Sequence, residues 1–349
     1  MDAEAARRAE AGATSDDGAT GGLLRHPIVP WIVGLVLLLP LPFFVGNAYH
    51  QYVLNVICIN IILAVGLNIV KGFAGQVTVG HVAVAAIGAY TSAVVSVKFG
   101  LPFWAAMPAA MLMTAVVGAL IGIPAFRLEG AYLALATLGL AESVRIIISG
   151  TEYLGGAIGF EGIPSPAIGG LVLDTHREYF YVVMPMAVIG IYFSFSILRS
   201  DIGRAFKAIR EDQLAAAASG VDVRKYKLIA FVLSALYAGC AGSLKAHMAP
   251  GFLNPNDYTV TEMVTLLLMV VFGGIGHIWG GVIGAIVVTI INDLTQDYYQ
   301  YRMAIFGSII VLVVMFMPRG IGGIIDDFFV RRRFAAIRKA RADAARGGT

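Results

Sequence analysis

Asn60, Asn68, Gln76, Thr78 and His81 are polar side chains set close together in an apolar part of the chain. Amides, a hydroxyl and an imidazole exchange hydrogen bonds without needing a fixed charge. That chemistry suits contact with a neutral or zwitterionic solute. It does not suit bond breaking. The sequence holds no HExxH, no CxxC pair and no GxSxG, and nothing arranges a nucleophile with a base. The P-loop pattern G-x-x-x-x-G-K-[ST] is also missing, as is the dipeptide Gly-Lys, so this chain is not itself a P-loop ATPase. A non-enzyme is expected. His81 has a second reading, as a polar residue hydrogen-bonded between helices.

The elements that must position these residues are membrane helices. Mean hydropathy is +0.80 and only 13% of residues are charged, which marks an integral membrane protein. The net charge of +3 calls for no nucleic acid. Cys58 and Cys240 sit in apolar segments and read as single buried thiols. Between the second and third apolar segments, Lys71-Gly72-Phe73-Ala74-Gly75-Gln76 is broken by glycine. Irregular backbone at membrane depth is tolerated only where protein or a water-filled cavity covers it. Gly72 to His81, with Gly75, Gln76 and Thr78, is therefore a candidate lining of a path.

The expected fold is all-α, a polytopic membrane helix bundle of about ten transmembrane helices. Ten apolar segments run Pro27–Val45, Tyr52–Val70, Val77–Val97, Phe103–Ile123, Ala131–Ser149, Tyr179–Leu198, Tyr226–Ala246, Tyr258–Phe272, Ile278–Ile291 and Met303–Met317. Most approach the roughly 20 residues that cross a bilayer. Residues 1–26 are expected to be a disordered cytoplasmic N-terminus, 27–318 the transmembrane domain, and 319–349 a basic cytoplasmic tail. With both termini cytoplasmic, the inner segments carry most of the 25 lysines and arginines, as the positive-inside rule requires. Lys98, Arg145, Arg177, Lys245 and Arg302 are left for the outer side. The tail reads as a stop-transfer cluster touching anionic lipid.

The longest polar run between apolar segments is Arg199 to Lys227, on the inner side. As a helix it puts Ile202, Phe206 and Ile209 on one apolar stripe, with Lys207, Arg210 and Glu211 facing elsewhere. Ala215 to Ala218 continue the helix and Gly220 offers a stop. This amphipathic helix either docks a partner or rests on anionic lipid. Glu142 and Arg145, one turn apart, read as a pair or as functional charges in the membrane. Ala110, Thr114, Gly118 and Gly122, like Gly276, Gly280 and Gly284, repeat every four residues and read as helix-packing stripes. The glycine- and proline-rich stretch 150–178 opposes regular structure and is either an external docking surface or a connector.

Three blocks together resemble a known family. Leu67-Asn68 through Gly75-Gln76, then Gly80-His81 and Ile87-Gly88-Ala89-Tyr90, resemble the permease signature of high-affinity branched-chain amino-acid ABC importers. Arg199 to Gly220 is similar to that family's cytoplasmic coupling loop. Phe272-Gly273-Gly274-Ile275-Gly276, with Trp279-Gly280 and Gly284-Ala285, looks like its third signature. The basic tail and the second half are more similar to the LivM-type subunit than to its LivH-type partner. The match covers roughly Asn60 to Pro318.

The resemblance implies a translocation subunit in a bacterial inner membrane. It implies a second homologous permease subunit, two cytoplasmic ATP-binding subunits that hold ATP and Mg, and an external solute-binding protein. This chain needs no cofactor of its own. Arg204, Ala208, Arg210, Glu211, Asp212, Ala215, Ala216 and Gly220 are then the residues that couple to the ATPase, with Leu214 where the wider importer motif has Glu. Asn60, Asn68, Gln76, Thr78, His81 and the two breaks, Gly75 in one and Gly273, Gly274 and Gly276 in the other, are expected to shape the path. Branched-chain amino acids are the implied solutes, with urea, short amides, some aromatic acids or another small solute as alternatives inside the family. A channel or secondary transporter without an ATPase is the rival from outside it.

Overall fold

The structure, a computed structural model, describes residues 31, 34–35, 38–128, 130–295, 301–316 and 320–323. The N-terminal stretch 1–26, residues 27–30, 32–33 and 36–37 of the first apolar segment and nearly all of the basic tail 319–349 lie outside the described residues. The chain up to Val45 forms a small unit of its own, whose described part includes a one-turn helix, Leu41–Phe44, opened by proline. Gly46 onward forms the helical body.

The body opens with α1 (Ala48–Asn68), capped by Asn47, whose side chain accepts from the Tyr49 N–H at 3.0 Å. It widens into a π-helical turn, Ile69–Phe73, and then stops being helical. Helix α2 (His81–Val97) begins only after Gly80, so Val77 to Val79, expected in a span, are a non-helical piece that ends in a turn at Gly80. Next come α3 (Phe103–Gly122) and α4 (Ala131–Gly150). Helix α5 (His176–Arg199) starts with a reciprocal capping box between Thr175 and Glu178. Two short helices follow, α6 (Asp201–Glu211) and α7 (Gln213–Ala218), then α8 (Val223–Ala246). The chain goes on through α9 (Val260–Gly273), α10 (Ile278–Leu294) and α11 (Arg302–Phe316).

Among the described residues, five helices are long and apolar enough to cross a membrane: α1 with its π turn, α3 with its C-terminal turn, α4, α5 and α8. Helices α2, α9 and α10 are apolar but shorter. The shortfall has a local cause. The glycine breaks take residues from α2, α9 and α10, whereas α1, which also adjoins the first break, keeps its length by running on into the π turn.

Helix α8 is the mast of the body, packed against α1, α2 and α3. Small residues permit this. A Cβ on Gly88 of α2 would lie 2.7 Å from the Gly239 Cα of α8. The stripe Ala110, Thr114, Gly118 and Gly122 is the face of α3 that seats α8, with Gly118 against Ala235 and Phe231. Gly280 and Gly284 seat α10 against Gly273 and Met269 of α9. The opposite faces of α3 and α4, with Leu112, Leu120, Leu135 and Ile147, are exposed, as expected where lipid or a second subunit covers them. Glu142 and Arg145 form an ion pair one turn apart on α4.

The stretch 150–178 has more order than its composition suggests. It carries a two-stranded antiparallel hairpin, β1 (Ala167–Ile168) and β2 (Leu171–Val172), whose turn residues Gly169 and Gly170 take φ of 58° and 93°. Phe160 and Leu253 exchange backbone hydrogen bonds of 2.8 and 3.0 Å, strapping the stretch to the α8–α9 connection. His247, just past α8, fastens the strap. Its Nδ1 donates to the Pro164 carbonyl at 2.7 Å, since a carbonyl only accepts, which leaves Nε2 to accept from the Ser92 hydroxyl at 3.0 Å. Burial lowers its pKa below the usual 6.5, against the opposing effect of the Pro164 bond. The folded state therefore favours neutral His247. Stability from this group is complete above about pH 6.5 and declines as pH falls through that value towards the lowered folded pKa. Melting of the purified protein in detergent should fall between pH 7 and 5, and His247→Gln should flatten that dependence; an equally steep fall in the variant would remove His247 from the strap.

Candidate functional site

The site grows from broken backbone. Where a helix stops in an apolar bundle, its N–H and C=O groups need other partners. Three side chains supply them. Asn68, in the last turn of α1, donates from Nδ2 to the His277 carbonyl at 2.7 Å. Its Oδ1 accepts from the Gly276 N–H at 3.0 Å. One amide thus staples the first break to the second, 208 positions apart in the chain. Thr137 of α4 covers the non-helical piece, accepting from the Val79 N–H at 3.1 Å.

The third partner is Arg210 of α6. Its Nη1 donates to the Gly72 carbonyl at 2.5 Å. The same nitrogen lies against Gly276, and the Arg210 backbone lies against Gly75, whose φ is +70°. A Cβ on Gly72 would lie 2.6 Å from the Gly276 nitrogen and would also strike Asn68. Gly72, Gly75 and Gly276 are glycines because Arg210 and the two breaks meet here. The sequence pattern turned Arg210 away from the buried face. Arg210 is indeed exposed, yet its long side chain reaches from that outer position to the Gly72 carbonyl. Gly274 has a φ of +112° at the turn and Gly273 packs on the Gly280 carbonyl.

The other expected path residues are distributed. His81 opens α2 with Nδ1 3.0 Å from the Ser234 hydroxyl of α8, and its Nε2 lies beside Gly66 of α1, so it is an interhelical strut. Gln76 is buried and turns back on the Ala74 carbonyl at 3.1 Å. Thr78 is buried in the non-helical piece. Asn60 donates to Thr289 of α10 at 2.9 Å. Asn60 also lines a cavity of about 140 Å³ between α1, α2, α8, α9 and α10. The cavity follows one face of α1 through Tyr52, Val56, Ile59, Asn60 and Leu63, stopping short of Asn68. Its lining on α8, Ala241, Gly242 and Lys245, lies at the end of that helix away from α6.

The loop expected as one helix is two. Asp212 has extended backbone (φ −158°) that ends α6, and its carboxylate caps α7 by accepting from the Leu214 and Ala215 N–H groups at 2.8 and 3.0 Å. Asp residues favour such caps over helix interiors. Phe206, Ile209 and Ala216 face inward. Arg204, paired with Asp201, and Glu211, Ala215 and Gly220 face outward, Ala208 is half-buried, and Leu214 is 84% exposed. Among the described residues no group of His, Cys, Asp and Glu is placed to hold a metal ion.

Sequence reasoning missed Thr137, Ser234 and Thr289, because a hydroxyl in an apolar helix carries no signal of its partner. Two helices interrupted at glycine, meeting beneath a cavity, are the architecture of a membrane transport protein. The family model described as the branched-chain amino acid transport system / permease component matches residues 49–317. The high-affinity branched-chain amino acid transport system permease protein LivM of Escherichia coli K12 is 36% identical over 82% of this chain and 73% of its own. LivM of Salmonella typhimurium is 34% identical over the same shares. The permease protein LivH of Escherichia coli K12 is 26% identical over 75% of this chain and 90% of its own. No solved structure matches the chain. The chain belongs to the family of branched-chain amino acid ABC transport permeases, and it is a multi-pass membrane protein.

Replacing Asn68 by Leu removes both bonds that join the breaks and leaves buried groups unpaired, at about 1–3 kcal/mol each. Asn68→Leu should lower the melting temperature clearly. Asn68→Asp, which keeps the acceptor for Gly276 and loses the donor for His277, should fall between. Equal melting of all three proteins would contradict the staple.

Proposed function

We propose that this chain is one permease subunit of an ATP-driven importer in a bacterial inner membrane, moving leucine, isoleucine, valine or related neutral amino acids. Its partners are a second homologous permease, two cytoplasmic ATPase subunits carrying ATP and Mg, and an external solute-binding protein. Both termini face the cytoplasm in this reading, residues 27–318 form the permease domain of about ten spans, and 199–227 is the coupling loop. The relatives' printed names support the solute class and the transport role.

One observation carries the mechanism: Arg210, on the coupling helix, holds the Gly72 carbonyl where the two breaks meet. ATP binding can shift a permease between states only if the states dock the ATPase subunits differently. A short helix whose outer face meets an ATPase and whose arginine grips the breaks supplies that difference. Glu211 and exposed Leu214 take the docking role. Asp212 serves as a cap and is spent on the loop itself.

The test is binding-protein-stimulated transport by the assembled complex in proteoliposomes. Arg210→Ala should leave the ATPase subunits bound yet lower leucine moved per ATP hydrolysed by about tenfold, the worth of a charge-assisted hydrogen bond. Leu214→Asp should release the ATPase subunits during purification. Import of urea or an amide with no response to any amino acid overturns the solute, and solute movement by this chain alone overturns the importer.

A further inference from the structure

The cavity that Asn60 lines has a charged rim. Lys245, in the last turn of α8, and Asp257, in the turn before α9, face each other there at 3.7 Å. That is loose beside the 2.7–2.9 Å of an ordinary charge-assisted bond. The two side chains keep 35% and 44% of their exposure. Glu262, in the first turn of α9, lines the same rim. Tyr258 and Asn292 also line it, and each brings an unmet polar atom. Tyr258 is only 4% exposed, yet its hydroxyl has no hydrogen-bond partner among the described residues. The buried Oδ1 of Asn292 has none either. Buried polar atoms without partners are rare, and two on one cavity wall point to something that enters and pairs with them. The floor is apolar: Leu63, Val82, Leu266 and Met269.

We propose that this cavity is a transit site built for a zwitterionic α-amino acid with a short aliphatic side chain. The assignment rests on the amino-acid reading of the preceding section and moves part of the selectivity into the permease itself. The solute carboxylate takes the Lys245 ammonium and the Tyr258 hydroxyl. The solute ammonium takes Asp257 and Glu262. The side chain lies on the apolar floor. Entry exchanges one loose ion pair for two short, charge-assisted ones, whereas urea or a neutral amide brings no charges and leaves Lys245 with Asp257. Size selects as well. An apolar cavity of about 150 Å³ accepts a benzene-sized guest. A branched four-carbon side chain is no larger than such a guest and fits the space of about 140 Å³, and a two-ring indole exceeds it.

The experiment uses the complete permease–ATPase complex in lipid nanodiscs, without the binding protein, and measures equilibrium binding of radiolabelled L-leucine. Competition with 4-methylpentanoate, isoamylamine and L-tryptophan maps the groups required. Leucine should bind saturably, and the three competitors at least about tenfold more weakly. Lys245→Gln should weaken leucine by about tenfold, a charged hydrogen bond, and Tyr258→Phe by about fivefold, a neutral one. If Lys245→Gln fails to assemble, Tyr258→Phe decides, because it keeps the ring and removes only a hydroxyl that has no partner. Leucine bound equally by both variants and wild type, or 4-methylpentanoate and isoamylamine bound as tightly as leucine, overturns the site. Leucine import by the wild-type complex, assayed alongside, separates the two failures: import with unaffected variants sinks the site alone, and no amino-acid import sinks the preceding reading and the site together.

Discussion

Everything in this structure depends on how two interruptions of helical backbone are satisfied away from water. A bundle of apolar helices has no spare donors for an open carbonyl. Asn68 joins one break to the other, Thr137 covers the non-helical piece and Arg210 closes over Gly72. Remove any one, and polar backbone stands unpaired in an apolar interior. The glycines follow from the same constraint, since a side chain at Gly72 or Gly276 would occupy the space these partners need.

The location of the staple gives the structure its direction. Helix α1 carries the cavity along Tyr52 to Leu63 and the staple in its last turn at Asn68, so the open space and the closed junction follow one another along one element. Arg210 belongs to α6, which lies at the closed end and shows its other face outward. A displacement of α6 therefore reaches Gly72 and Gly276 first, while the rim of Lys245 and Asp257 responds only through the helices. Helix α8 runs from the end of the α6–α7 loop to that rim in 24 residues, about 36 Å of rigid rod. Close contacts at Gly88, Gly239 and Gly242 lock it to α2 and α3, so it transmits tilt rather than bending.

Polar residues inside the body divide into two kinds by what they touch. Gln76, Thr114 and Thr137 are satisfied by their own turns, and His81 is held through its Nδ1 by Ser234. Tyr258 and Asn292 are not satisfied by the protein. The first kind holds helices in place. The second kind is where a passing molecule has something to gain.

Composition, hydrophobic runs and charge bias were enough to establish a polytopic helical membrane protein. Glycine spacing was enough to mark both breaks and the small-residue stripes. These features are local, fixed by a few neighbouring residues and the bilayer's demand for apolar length. The amphipathic stripe of Phe206 and Ile209 was legible for the same reason, and so was the one-turn pairing of Glu142 with Arg145. Only the tertiary structure decided which break meets which, that the exposed Arg210 reaches Gly72, and that Asp212 ends one helix to cap the next. It alone brought Lys245, Asp257, Glu262, Tyr258 and Asn292 around one cavity. Those residues sit on three helices and a turn, and sequence periodicity reports the face of each helix without naming its neighbour. A long side chain adds a further freedom: the direction of its Cβ is fixed by the helix, but the place of its charge is fixed by the partner it finds.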